Sequence, residues 1–284
     1  MKYQFGAHLS SSGGYHKAVE RVHAIGGSCL QLFSSSPRTW KSAVVDDEKI
    51  ARFLTAREEF KIDPVYFHAL YLVNLADSGQ TGENSVEALI TELNLAHAMN
   101  VRGSIVHTGS FKNKDASGSC RLEAAYPTLL SNIQNVLKET PEDTLLILEN
   151  SGNRKIGQTI EHLAEIIEDV KSPRIRVCLD TCHLHAAGYD LSTPDALNAF
   201  LDRFDTLIGH KKLELIHMND SKDPFQSLRD RHDNIGVGNV GISVFKNLIQ
   251  NKRTQTLPFI IETPGFDGNG PDEKNLDILK GLAQ

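Results

Sequence analysis

Short, nearly continuous apolar runs alternate along the chain with longer segments in which apolar residues return every three or four positions. The runs are Tyr3–Leu9, Ser28–Phe33, Pro64–His68, Gly103–His107, Thr144–Glu149, Arg174–Asp180, Leu213–Asn219 and Pro258–Glu262. Runs of this kind are expected of strands buried on both faces in a parallel sheet. The first stripe between them is Tyr15, Ala18, Val19, Val22 and Ile25, after a cap region at Ser10–Ser12. The second is Ile50, Phe53, Leu54 and Arg57, with Asp46 or Asp47 as its cap. Val86, Leu89, Ile90, Leu93 and Ala96 form the third. Leu129, Leu130, Ile133, Val136 and Leu137 form the fourth, which Pro127 should start or kink. Ile160, Leu163, Ile167 and Val170 make the fifth, and Leu197, Phe200, Leu201 and Phe204 the sixth. Val244, Phe245, Leu248 and Ile249 supply the seventh, and Leu276–Leu282 the last. Such spacing predicts helices with one buried face.

Strands alternating with helices in this number predict an α/β fold, a single (β/α)8 TIM barrel over residues 1–284 with its working face at the carboxyl ends of the strands. No Gly-rich dinucleotide loop follows the first strand, which weighs against an open doubly wound sheet. No low-complexity tract, linker or charge block divides the chain. No run approaches the ~18–20 apolar residues that span a bilayer. MKYQFGAHLS reads as a strand rather than a signal-peptide core, so the expected location is cytoplasmic, with no membrane partner. Cys29, Cys120, Cys178 and Cys182 lack disulfide-scaffold spacing and read as reduced packing residues.

The strand ends carry the chemistry. The third ends in His68, the fourth in His107, the fifth in Glu149, and the sixth in Asp180 with His183 three residues on. The seventh carries His217, the loop beyond it Asp230 and His232, and the eighth ends in Glu262. A lone histidine at a strand end is more often a hydrogen-bonded structural residue, and a lone glutamate there a solvated boundary residue. Nine such residues on one rim are hard to assemble by accident. Carboxylates packed together without cations would be protonated rather than ionised. Imidazole and carboxylate together suit zinc or manganese, and nine ligands can serve three ions with bridging and still leave open positions. His8 and His185 are candidates for orienting a ligand. His16, His23, His97 and His162 fall on helices, and His210 on the opposite face.

The formal net charge of −6 argues mildly against a nucleic-acid partner. Three dications would formally cancel it. Loops on the ligand face are also basic: Arg38 and Lys41, Lys112 and Lys114, Arg154 and Lys155, then Lys222, Arg229 and Arg231. Phosphates would approach there, although any one of these can equally be a solvated charge. Tyr71 and Leu72, a bulky apolar pair after His68 and near Trp40 in the barrel order, either pack their loop or wedge into a base stack.

The segments GAHLSSSGG, LQLFSSSPRTW, HALYLVNLA, VHTGS, LENSG, LDTCHLHAAGYD, IHMND, DRHDNIGVGNVG and IIETP resemble the endonuclease IV family of apurinic/apyrimidinic endonucleases over essentially the whole chain. The resemblance implies a TIM barrel with three zinc ions, manganese replacing one in some members. It implies cleavage of double-stranded DNA 5′ to an abasic site, leaving a 3′-hydroxyl and a 5′-deoxyribose phosphate, together with 3′-end cleaning. By resemblance His68 and His107 hold the first ion, with Glu149 bridging to the second and serving as the catalytic residue. Asp180, His217 and Glu262 complete the second, and His183, Asp230 and His232 hold the third. Arg38, Tyr71 and Leu72 match positions that enter the DNA helix near the lesion. A monomer with no obligatory protein partner is the default. Leu70 departs from a frequent proline, Phe111 from a frequent histidine, and Gly152-Asn153-Arg154-Lys155 from a loop of small residues. These departures bear on substrate contacts, not on the ligands.

Two other readings fit part of the pattern. A sugar isomerase or epimerase on a related barrel uses one metal and a set like Glu149, Asp180, His217 and Glu262, which leaves the other five ligands without a purpose. A catalytically silent lesion-binding protein has no need of the complete ligand set.

Overall fold

The computed structural model describes residues 3–42, 45–110 and 122–284, with backbone alone at 122–124. Phe111, Lys112, Lys114 and Cys120 lie outside the described residues. In chain order the elements begin β1 (Gln4–His8), α1 (Tyr15–Ala24), β2 (Cys29–Phe33), α2 (Asp47–Phe60), β3 (Val65–His68), α3 (Gln80–Ala98) and β4 (Gly103–Val106). They continue with α4 (Leu122–Lys138), β5 (Leu145–Glu149), α5 (Ile160–Val170), β6 (Ile175–Asp180), α6 (Thr181–Ala187), α7 (Pro194–Leu207) and β7 (Leu213–His217). The short strands β8 (Asp220–Ser221) and β9 (His232–Asp233) follow, then α8 (Ile242–Gln250), β10 (Pro258–Ile261) and α9 (Glu273–Leu282).

Strands β1 to β7 and β10 close into one parallel barrel, in the order β1-β10-β7-β6-β5-β4-β3-β2. This is the predicted TIM barrel. The helix faces legible in the sequence are the buried ones: Ala18, Val19 and Val22 on α1, Leu89 and Leu93 on α3, Leu163 and Ile167 on α5. Caps fix several starts, because a side-chain oxygen accepts from one of the unpaired N–H groups of the first turn. Asp46, not Asp47, caps α2, Thr193 caps α7 ahead of Pro194, and Asp272 caps α9. The cap expected at Ser10–Ser12 falls instead on Gly14. Pro127 lies inside α4 rather than at its start.

Three elements were not expected. Helix α6 begins directly where β6 stops, and β8 pairs antiparallel with β9 to bring His232 back toward β7.

Inside the barrel the side chains are layered. Cys29, Tyr66, Ile105, Ile147, Cys178, Leu215 and Ile260 form a dry layer. Strand side chains alternate between faces, so the inward position two residues further on belongs to the next layer up. Those positions are Gln31, His68, His107, Glu149, Asp180, His217 and Glu262. On β1 the corresponding pair is Gly6 and His8. An added Cβ at Gly6 would sit 2.0 Å from the Cys29 carbonyl oxygen, so only glycine lets β1 approach β2 here. At the amino-terminal end, Tyr66 donates to Glu214 at 3.1 Å, and Arg102 donates to the same carboxylate at 3.1 and 3.2 Å.

Candidate metal centre

The upper layer gathers ligand atoms into overlapping groups, each with its atoms within 4.8 Å of one another. One group is His68, His107 and Glu149; a second is Glu149, Asp180, His217 and Glu262; a third is His183, Asp230 and His232. Asp180 and His232 also group with the Cys182 thiol. Glu149 belongs to two groups because its oxygens face different ways. Oε2 lies 3.2 Å from His68 Nε2 and 3.4 Å from His107 Nε2, while Oε1 lies 3.2 Å from His217 Nδ1. Asp180 and His217 are register partners on adjacent strands, with Oδ2 3.8 Å from Nδ1. His183 owes its place to α6, whose first turn Asp180 caps by accepting from the His183 N–H at 2.9 Å.

Neighbouring acceptors decide which ring nitrogen each histidine leaves free. A carbonyl oxygen only accepts, so His68 Nδ1, 2.9 Å from the Ala69 oxygen, carries the proton and leaves Nε2 toward Glu149. His183 Nδ1 donates likewise to the Asn150 carbonyl at 2.9 Å. Its Nε2 stands 3.0 Å from Asp230 Oδ1 without the geometry of a hydrogen bond. His183 Nε2 and His232 Nε2 are buried with no hydrogen-bond partner. Buried polar atoms are rarely left unpaired. Imidazole lone pairs converging on carboxylates satisfy that rule when a cation sits between them, and the residues present fit zinc or manganese.

Electrostatics point the same way. Burial pushes the Glu149 and Glu262 carboxyls up, but imidazoles hold both well below the usual range, His107 and His217 first at Glu149 and His217 and His8 first at Glu262. Burial also disfavours charge on His183 and His217, yet for His183 the carboxylates of Asp180 and Asp230 win, and for His217 the side chains of Cys178 and Glu262 do, so both rings are held well above the ordinary value. Without cations the cluster therefore holds protons that bound dications would displace. His107, where burial dominates, falls to about 4. Burial pushes the Cys178 and Cys182 thiols up to about 12. With Cys29 they are unpaired and buried, as packing cysteines should be.

A cavity of about 600 Å³ opens above the cluster, a size suited to a small organic group. His68, His107, Asp230, Glu262, Tyr71 and Lys155 are among its lining residues. Tyr71 is 64% exposed and packs edge-on against Phe33, with ring centroids 5.2 Å apart. Its N–H donates to the Pro37 carbonyl at 3.1 Å, tying the β3 loop to the loop that carries Arg38. Arg38 and Leu72 are exposed near this mouth but do not line the cavity. Arg231 is committed to Asp223 at 2.5 Å and Arg229 lies 3.6 Å from it, so neither is a free rim charge. His8 contacts Glu262 at 3.0 Å. His185 turns away from the cluster and donates to the Asp223 carbonyl at 3.2 Å.

Three uncharged side chains escaped the sequence reading. Asn150 Oδ1 accepts from the Asp180 N–H at 2.7 Å. Asn219 Nδ2 donates to Asp180 Oδ2, and its Oδ1 accepts from the Glu262 N–H, both at 2.7 Å. Gln31 touches His217, His8 and Glu262. Their signal was a polar residue inside an apolar run or directly after a ligand, as in CLQLF, LEN and MND.

Comparison with known proteins adds an independent line. A profile of the xylose isomerase-like TIM barrel family matches residues 19–282. A probable endonuclease 4 of Thermosipho melanesiensis is 36% identical over 268 residues, covering 92% of each chain. The crystal structure of endonuclease IV from Thermus thermophilus superposes with a TM-score of 0.85 at 30% identity, covering 98% of both chains. A D-tagatose 3-epimerase-like protein superposes at 0.73 with 18% identity, covering 98% of this chain and 96% of the other, and shares the fold alone. The chain belongs to the endonuclease IV family of the xylose isomerase-like TIM barrels.

Proposed function

We propose that this member of the family is a DNA-repair nuclease, residues 1–284 forming a single AP-endonuclease domain. It hydrolyses the phosphodiester bond 5′ to abasic sites in double-stranded DNA, leaving a 3′-hydroxyl and a 5′-deoxyribose phosphate, and it also cleans blocked 3′ ends. It works in the cytoplasm as a monomer with no obligatory protein partner. Among the described residues no helix is long and apolar enough to cross a membrane. The observation that carries the reading is the sharing of Glu149 between two ligand groups, with a third group beside them.

The proposed cofactors are three zinc ions, one replaceable by manganese. When bound, they supply positive charge for a phosphodiester and lower the pKa of a bound water to about 7. His68 and His107 with one Glu149 oxygen would hold the first ion; the other Glu149 oxygen, Asp180, His217 and Glu262 the second; His183, Asp230 and His232 the third. Glu149, between two groups, is placed to orient an attacking water in line with the phosphorus. Arg38, Tyr71 and Leu72 would enter the duplex beside the lesion and keep the opened strand over the cavity. A one-metal sugar isomerase would leave His68, His107, His183, Asp230 and His232 without a role, and a metal count of one per chain would favour it.

The test is a duplex carrying a single abasic analogue. Wild type is expected to nick it, and Glu149→Gln to abolish nicking while largely retaining binding. Equal, slow cutting of undamaged and abasic duplexes by wild type and variant would overturn the reading.

A further inference from the structure

Gln31 is a fully buried polar side chain inside the apolar strand β2, and its amide is shared among three ionisable groups. Its Nε2 donates to Glu262 Oε1 at 2.5 Å and lies 2.7 Å from His8 Nδ1. That contact fixes the orientation of the amide, because a carboxylate only accepts. The Oε1 end therefore faces His217 Nε2, at 2.7 Å, and takes its proton. The consequences are specific. Nε2 of His217 is thereby occupied, so Nδ1, hydrogen-bonded to Glu149 Oε1 at 3.2 Å, is the nitrogen turned to the carboxylates, and Glu262, whose Oε1 His8 also contacts at 3.0 Å, turns Oε2 toward that same Nδ1 at 3.6 Å.

We infer that Gln31 is the positioning residue of the Glu149–Asp180–His217–Glu262 group, selecting through one amide which nitrogen of His217 and which oxygen of Glu262 face the cation. Neither hydrogen bond reaches reacting atoms, so Gln31 acts through the two ligands it holds. The inference rests on the metal reading of the preceding section, but its test does not depend on nicking. A side chain of this kind, holding a ligand from behind, is worth about 10–100-fold in metal affinity.

Methionine matches glutamine in length and offers no amide. Zinc-loaded wild type and Gln31→Met are dialysed against graded chelator, and the ions retained per chain are counted by elemental analysis. The variant is expected to release one ion at about 10–100-fold lower chelator strength, the others staying as in wild type. Retention identical to wild type would overturn the inference. Should the variant fail to fold, wild type alone decides the matter. In the zinc-loaded protein, nitrogen–proton correlation spectra of labelled histidines are expected to show His217 protonated at Nε2 and not at Nδ1; the opposite tautomer would overturn the inference. If wild type retains no transition metal, the proposed function itself falls. If it retains metal and Gln31→Met retains it equally, only the role of Gln31 falls.

Discussion

Glu92 shows how a single buried residue sets a pH dependence away from the metal centre. It sits on the inner face of α3, where its carboxylate accepts hydrogen bonds from the Ser34 and Ser104 hydroxyls. Burial pushes its carboxyl up, and the two hydroxyls with the charge of His68 offset only part of that. A carboxyl whose value is higher folded than unfolded contributes stability that is fully present below the unfolded value and lost as pH rises through the folded one. Glutamine can donate to one serine and accept from the other while carrying no charge. Glu92→Gln should therefore raise the melting temperature relative to wild type more at mildly alkaline than at mildly acidic pH; a pH-independent difference would contradict this. At this scale the ionisable ligands were legible and their supports were not. His68 or Glu149 announces itself by ending an apolar run. Gln31, Asn150 and Asn219 carry no charge, and one polar residue in a strand does not say what it touches.

Among the elements, the loop from Ser151 to Gly157 departs most from the small-residue expectation, and it is tied at both ends. The Ser151 N–H donates to the Gly157 carbonyl at 2.9 Å, and the Ile156 N–H to the Gly109 carbonyl at 3.1 Å. The loop packs so closely over His183 that a Cβ on Gly152 would lie 2.8 Å from the ring, which leaves glycine as the residue that fits. Lys155 is thereby held at the cavity wall, the one lysine or arginine among the described lining residues. If it meets a phosphate, Lys155→Ala should weaken abasic-duplex binding a few-fold and reduce the salt dependence by about one counterion; an unchanged slope would leave Lys155 as a solvated charge. The eight barrel strands and their helices were readable because each repeats its periodicity over several residues. Helix α6 was not, because its seven residues are nearly all buried and present no polar face to alternate with an apolar one. Strands β8 and β9, two residues each, are too short to show any period.

For the molecule as a whole, cations held by the candidate centre would couple to folding. Imidazoles and carboxylates from β3, β4, β5, β6, β7 and β10 meet at one end of the barrel, so ions there tie together strands distant in sequence. A cation that binds only the folded chain stabilises it by about 4 kcal/mol when present at a thousand times its Kd. Exhaustive chelation should therefore lower the melting temperature, and adding zinc should restore it; no change in melting would mean that the ligands are not engaged.

The dry layer below those ligands has a further effect. Tyr66, Ile105, Ile147, Cys178, Leu215 and Ile260 are each no more than 1% exposed, and the tie from Tyr66 through Glu214 to Arg102 lies beneath them. Among the described residues the ligand layer thus has this apolar floor beneath it and, above it, the cavity that His68, His107 and Glu262 line. On the proposed reading, a duplex seated over that cavity would cover the cluster, so protons displaced there would leave together with the product.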